Sequence, residues 1–280
     1  MQSEILGTIY QPFNAKEKSA LRVKVGFQGS LGSFHHQAAD VYFTSGNSDV
    51  IPLETLPELF NQLISGTIDY AMLAVENTVS GFIHTSYAML QKYNANILGE
   101  VYLPVCHCLH CSKNDRLGKI EEIHLNSMDT ALDATYITEE SAKDIDAIAR
   151  IQAAEIYNLQ TLQKRIKNKP CNFIRFVCLS VDDILEYDLE LLSNLKKIKA
   201  TLSISIKELQ DELPQLLHLF SRYGISAKVL IPVMEQQNCH LYKYWVDVIS
   251  DNVKQIFEVV HLINNIDDKI EIIGIYESKS

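Results

Sequence analysis

Residues 23–43, VKVGFQGSLGSFHHQAADVYF, constrain the fold most, because a strand pattern, a glycine turn and a helix pattern follow one another without a gap. Val23, Val25 and Phe27 alternate toward one face, Gly26, Gly29 and Gly32 free the backbone, and the spacing of Phe34, Ala38, Ala39, Val41 and Tyr42 is helical. A glycine turn that runs into a helix N-terminus presents unpaired N–H groups and the positive end of a helix dipole, so it can cradle a carboxylate or phosphate. Ser33 falls where an N-cap or a first-turn donor belongs. The same pattern also occurs where a strand simply bends sharply into a helix.

Size and charge narrow the function classes. A chain of 280 residues, 47% apolar and 21% charged, has the material for about two ordinary domains. Its formal charge of −10 argues against nucleic acid, which requires a basic stripe. No apolar run reaches the roughly 20 residues that span a bilayer, and residues 1–22 lack the apolar core of a signal peptide. The expected setting is cytoplasmic, with no membrane partner. Six cysteines, three of them at Cys106, Cys108 and Cys111, fit a reducing compartment better than a disulfide framework.

His107 and His110 interleave with those three cysteines, a set of ligand types that suits zinc. Strand geometry argues against a site there. The run continues the alternation of Val101, Leu103 and Val105, which sends Cys106, Cys108 and His110 to one face and His107, Leu109 and Cys111 to the other. Buried free cysteines, with no metal and no cofactor, are the expectation.

Strand and helix patterns alternate from residue 23 to about 179, which predicts an α/β domain with a largely parallel sheet. Strands are expected at 50–53 and 70–75 and helices at 57–64 and 82–93. The turn Glu76-Asn77-Thr78-Val79-Ser80-Gly81 resembles the first one in leaving a buried strand and feeding a helix. Two such turns at the ends of neighbouring parallel strands make a crevice suited to a small molecule with two negative charges. Beyond residue 197 the order is strand 198–206, helix 213–223, strands 225–232 and 240–249, helix 253–264 and strand 270–276, the ferredoxin-like β-α-β-β-α-β pattern. Pro214 is expected in the first turn of its helix, and the acidic segment 182–194 serves as connector.

These motifs, in this order, resemble prephenate dehydratase followed by an ACT domain. The carriers are GSLGSFHHQAA at 29–39, Glu76-Asn77-Thr78 with Gly81, Leu98-Gly99-Glu100-Val101, Ala147-Ile148-Ala149, the segment 153–157, Asn172 with Arg175-Phe176, and Ile273-Gly274-Ile275-Tyr276. The resemblance implies a two-lobed α/β catalytic domain over 22–182, similar to a periplasmic binding protein, with lobe one at about 22–97 and 173–180 and lobe two at about 98–171. It implies an ACT domain over 195–278 and a homodimer or homotetramer. The implied substrate is prephenate, a small dicarboxylate, converted to phenylpyruvate in phenylalanine biosynthesis. Substrate contacts would come from Ser33, Glu76, Asn77, Thr78, Gly81 and Asn172, with Arg175 and Phe176 beside the reacting centre and Arg175 as a carboxylate clamp.

Three departures from the family pattern bear on activity. The family's asparagine, variable residue, threonine-arginine-phenylalanine run reads here Asn172-Phe173-Ile174-Arg175-Phe176, so Ile174 stands where the threonine hydroxyl helps the ring hydroxyl to leave. The family's serine-histidine-proline-glutamine region is replaced by residues 124–131, and about one strand-helix unit is shortened. The effector motifs are also replaced, Asp211-Glu212-Leu213 and Val229-Leu230-Ile231-Pro232 standing in their places, which argues against phenylalanine binding at Leu213 and Ile231. Three functions fit this mixture: a dehydratase slowed by Ile174, a prephenate decarboxylase-like enzyme, and a non-catalytic paralogue that binds a carboxylate ligand.

Overall fold

The computed structural model describes residues 22–43, 48–111, 122–124, 145–149, 151–166, 171–181, 192–233, 242–265 and 270–279. The segment 125–144, expected to be shortened, and most of the connector 182–194 lie outside them. The chain divides into two compact units, residues up to Gly81 with Val101–Phe176, and Phe82–Glu100 with the residues from Val177 onward. Among the described residues no helix is long and apolar enough to cross a membrane.

The first unit opens as the sequence pattern predicts: β1 (Val23–Gln28), α1 (Phe34–Phe43), β2 (Ser48–Leu53), α2 (Leu56–Ile64) and β3 (Tyr70–Asn77). β1 lies between β2 and β3 and pairs with both in parallel. Strand β3 is buried from Tyr70 to Val75, as expected of a central parallel strand covered on both faces. The two-residue strand β4 (Gly81–Phe82) folds back onto β3, and the sheet continues β2-β1-β3-β10-β5, where β5 is Asn96–Pro104 and β10 is Phe173–Ser180.

A separate four-stranded sheet, ordered β7-β8-β6-β9, comprises β6 (His107–Cys111), β7 (Glu122–His124), β8 (Ile145–Ala149) and β9 (Gln160–Ile166), with the short helix α4 (Ile151–Ile156) between β8 and β9. It is not the largely parallel sheet expected. Only β7 and β8 run parallel, whereas β6 is antiparallel to both β8 and β9. The alternating pattern of helix and strand leaves direction open when a strand is inserted between two others from a distant part of the chain.

The second unit contains α3 (His84–Tyr93), the start of β5, and the series β11 (Ile198–Ile206), α5 (Leu209–Arg222), β12 (Ser226–Val233), β13 (Tyr242–Ser250), α6 (Val253–Asn264) and β14 (Ile270–Glu277). These four strands are antiparallel in the order β12-β13-β11-β14. Helix α5 begins four residues before its expected start and holds Pro214 inside it. The acidic first turn explains this. Asp211 and Glu212 complement the helix dipole, and Glu212 reaches back to accept from the N–H groups of Glu208 at 3.2 Å and Lys207 at 3.4 Å, an N-terminal box that sets the start ahead of the proline.

One face of this sheet packs Ile198, Ala200, Leu202, Ile204, Val246 and Val248 against Phe220, Ile256 and Val259. On the other face, Lys199, Thr201, Ser203, Trp245 and Asp247 are equally buried. Partners for this face come from α3 and β5 of the same unit. Tyr87 stands edge-on to Trp245 at 5.7 Å. A side chain at Gly274 would stand 2.2 Å from the Ile97 carbonyl oxygen, so the close approach of β14 to β5 requires glycine. The Glu100 carboxylate accepts both 2.8 and 2.9 Å bonds from Lys199 Nζ and a 3.0 Å bond from the Lys279 N–H. Beside this pair, Thr201 Oγ1 lies 2.7 Å from Asp247 and 2.8 Å from the Tyr276 hydroxyl.

A buried ion pair is costly to break on one side only, because the remaining charge has no water. Lys199→Met should therefore destabilise the protein by roughly 3–5 kcal/mol, whereas Lys199→Met combined with Glu100→Leu should recover most of that loss. Denaturant unfolding of the single and double variants measures the difference; equal losses in both would contradict it.

Candidate active site around two turns

The first turn has the backbone its glycines suggested. Gly29 and Gly32 adopt φ of 105° and 86°, the left-handed region that side chains avoid, and Ser33 Oγ accepts from the His36 N–H at 3.3 Å to cap α1. The anion cradle is altered in one respect. The Gly32 N–H donates to His36 Nδ1 at 2.9 Å, so this donor is already taken. Accepting there places the imidazole proton of neutral His36 on Nε2, 3.7 Å from Asp40, while the ring stacks on Phe27 with centroids 5.6 Å apart.

The second turn does not feed a helix N-terminus, contrary to expectation. Asn77 Oδ1 accepts from the N–H groups of Val79 and Ser80, both at 2.9 Å, and Gly81 at φ 88° returns the chain as β4. Helix α3 starts only at His84, and Ile83 before it offers no side-chain cap. An asparagine that binds its own turn so fully stabilises a hairpin in place of a helix start. What it can still offer a ligand is its NH2 group.

Thr78 fastens this turn to the start of β10. Its N–H donates to the Phe173 carbonyl at 2.9 Å, its hydroxyl accepts from the Phe173 N–H at 2.9 Å, and the same hydroxyl donates to the Cys171 carbonyl at 3.1 Å. The hydroxyl proton of Thr78 is thus given to the backbone carbonyl of Cys171. Ser33 still has its proton to give, since the capping bond uses only its lone pair.

Along β10, Ile174 and Phe176 share one face and Arg175 points to the other. Phe176 is fully buried, and the His35 ring meets it edge-on at 5.0 Å, which places Ile174 on the face toward the start of α1. Ile174 itself is half-buried. Arg175, 3% exposed, has Nη1 3.9 Å from Glu76 Oε2, so a guanidinium and a carboxylate face each other across the neighbouring strands. Asn172 contributes a buried Oδ1 that has no partner, while its carbonyl accepts from the Val105 N–H at 2.8 Å.

Ser33, Glu76, Asn77, Thr78, Gly81, Asn172, Ile174, Arg175 and Phe176 therefore all belong to the first unit, at the start of α1, the β3–β4 turn and the start of β10. Leu213 and Ile231 belong to the second. Leu213 packs against the core of the four-stranded antiparallel sheet, and Ile231 is buried in register with Trp245. The contacts of His35, His36 and Tyr157 are additions that the sequence pattern does not show. Tyr157 donates its hydroxyl to the Leu31 carbonyl at 3.1 Å, and Phe34 meets His107 edge-on at 5.7 Å, so the region of the β7-β8-β6-β9 sheet touches the glycine turn. Both histidines and Tyr157 lie inside the motifs singled out above; only their partners were hidden. Among the described residues no group of three or more His, Cys, Asp or Glu is placed to hold a metal ion.

The family model for prephenate dehydratase matches residues 25–128 and 124–184, more than half of the chain, beginning within β1. The chain belongs to the prephenate dehydratase family. Arogenate dehydratase 5 of Arabidopsis thaliana is 31% identical over 185 residues, which cover 58% of this chain and 43% of that protein. The chain spans less than half the length of the curated relatives it matches. Among solved structures, a prephenate dehydratase from Arthrobacter aurescens in complex with L-Phe superposes with a TM-score of 0.78 at 18% identity, covering 91% of this chain and 90% of that one. GqqA, described as a novel type of quorum quenching acylase, superposes at 0.77 and 21% identity, covering 91% and 98%. Likeness at such identities establishes the fold, and a fold can host more than one chemistry.

The clamp at Thr78 can be tested without substrate. Thr78→Val keeps the shape and removes two hydrogen bonds, and should cost about 1–2 kcal/mol for a site this exposed. Thr78→Ser should restore most of the loss. The unfolding midpoints of the three proteins decide; a valine variant as stable as the parent would show that the clamp contributes nothing.

Proposed function

We propose that the chain catalyses the decarboxylating dehydration of prephenate to phenylpyruvate, at a rate held down by Ile174. The observation that supports this is the intact pairing of the Glu76-Asn77-Thr78 turn with Arg175 in a chain of this family. Prephenate carries two carboxylates, and Arg175 would clamp one of them, with the Asn77 amide and Ser33 hydroxyl as further donors. The reaction expels the ring hydroxyl as water and the ring carboxylate as carbon dioxide, and the electrons of the broken C–C bond complete the aromatic ring. The enzyme's task is to protonate the departing oxygen. A β-branched residue without a hydroxyl at 174 leaves that task to another donor, and losing one positioned donor costs on the order of 10²–10³ in rate.

A second reading, a paralogue that binds a carboxylate ligand without turning it over, is favoured by the isoleucine itself and by the committed proton of Thr78. The name of the Arabidopsis relative adds arogenate as a substrate to offer beside prephenate. In the second unit, the β-α-β-β-α-β series supports an ACT domain that holds two chains together through its apolar strands. The substituted motifs around Leu213 and Ile231, both engaged in core packing, support a weak response to phenylalanine.

Ile174→Thr should raise prephenate dehydration at least about tenfold, since a donor regained in a preorganised site is worth about 1.4 kcal/mol or more. The same change should cost about 1 kcal/mol of stability, because the hydroxyl enters a half-buried position. Rates with prephenate and with arogenate for both proteins check this. An unchanged, ordinary rate would show that the hydroxyl is supplied from elsewhere, and no turnover by either form would favour the second reading. Millimolar phenylalanine should raise Tm by no more than about 1 °C, as a ligand at or below its Kd contributes no more than about 0.4 kcal/mol. A rise of several degrees would contradict it.

A further inference from the structure

The two strands β5 and β10, which are neighbours in the sheet, meet end to start: Val105, just past β5, donates to the carbonyl of Asn172, just before β10, at 2.8 Å. Neighbouring strands that meet in this way run antiparallel, and a bond of this kind marks Val105 and Asn172 as directly opposite. One residue further out, past the ends of both strands, lie Cys106 and Cys171. Both are free thiols; Cys171 is exposed and Cys106 half-buried.

The backbone carbonyls keep a strand's alternation as far as Cys171. Those of residues 171 and 173 accept from Thr78 on the β3 side, while that of residue 172 accepts from Val105 on the β5 side. Carried one residue beyond the strand ends at Pro104 and Phe173, this alternation sets 106 and 171 as a pair of the type without hydrogen bonds between its two residues. Such pairs have Cα atoms about 4.5 Å apart and side chains on the same face, inside the window of about 4.4–6.8 Å that a disulfide accepts.

We infer that Cys106 and Cys171 form a redox-modifiable pair that a peroxide or a small disulfide converts to an intramolecular disulfide and a dithiol reverses. With hydrogen peroxide, the exposed Cys171 thiolate attacks one oxygen and breaks the O–O bond. It becomes a sulfenic acid, and the other oxygen leaves as water once protonated. The Cys106 thiolate then attacks the Cys171 sulfur, forms the S–S bond and expels the sulfenic oxygen as a second water. Two thiols are oxidised, one peroxide is reduced, and two waters are released. The bond ties β5 to β10 at the residue whose carbonyl receives the Thr78 hydroxyl, so the modification is read at the turn that carries Glu76 and Asn77.

The test uses the full chain with all other cysteines in place. Treated with one equivalent of hydrogen peroxide and digested without reductant, the protein should lose the mass of two hydrogen atoms and yield one cross-linked peptide joining Cys106 to Cys171. Dithiothreitol should remove the cross-link. Cys106→Ser should abolish it and leave a trappable sulfenic acid at Cys171, and Cys171→Ser should abolish both. A cross-link between other cysteines, or oxidation of Cys171 to sulfinic acid in the parent with no cross-link, would overturn the inference.

Discussion

One threonine hydroxyl holds the candidate site together. Thr78 lies 93 residues before Cys171 in sequence, yet its Oγ1 both accepts from and donates to the backbone around residue 172. The turn carrying Glu76 and Asn77 is fastened to β10 by this hydroxyl together with the Thr78 N–H, and Arg175 meets Glu76 where the neighbouring strands β3 and β10 flank that joint. The cost is that the proton which fastens the turn is unavailable for chemistry. Under the proposed function, a site that uses one threonine for the turn and another for proton donation keeps its architecture when the second is replaced, as by Ile174.

The second unit depends on a different kind of interaction. Burying Lys199 and Glu100 together requires that both oxygens of the carboxylate be served, and the Lys279 N–H adds a third bond to the two from the ammonium group. A sheet whose second face carries lysine, threonine, serine, tryptophan and aspartate would suit water if left open. Here α3 and the start of β5 cover it, with Tyr87 against Trp245 and Ile97 against Gly274.

Hydrophobic periodicity makes much of the fold legible. The β-α-β-β-α-β series is readable because β11 alternates cleanly and β13 is a run of apolar and aromatic residues, and β1 to β3 because each strand is bounded by a turn signal. The start of α5 lies ahead of where its proline points, because Asp211 and Glu212 move it forward. The second turn departs from its expected role for a related reason: whether Asn77 serves a ligand or its own turn is decided by one rotamer, which sequence does not encode visibly. His36 taking the Gly32 N–H is the same effect at the first turn. Partners far apart in the chain, such as Glu100 with Lys199 and Thr78 with Cys171, become visible only once the strands are in register.

The decisive observation is the product that the unmodified chain forms. Purified protein incubated with prephenate, with the product identified by mass and ultraviolet spectrum, should yield phenylpyruvate slowly, with carbon dioxide released in equal amount. Prephenate recovered unchanged after prolonged incubation with folded protein, or a decarboxylated product that is not aromatic, would contradict the proposed chemistry.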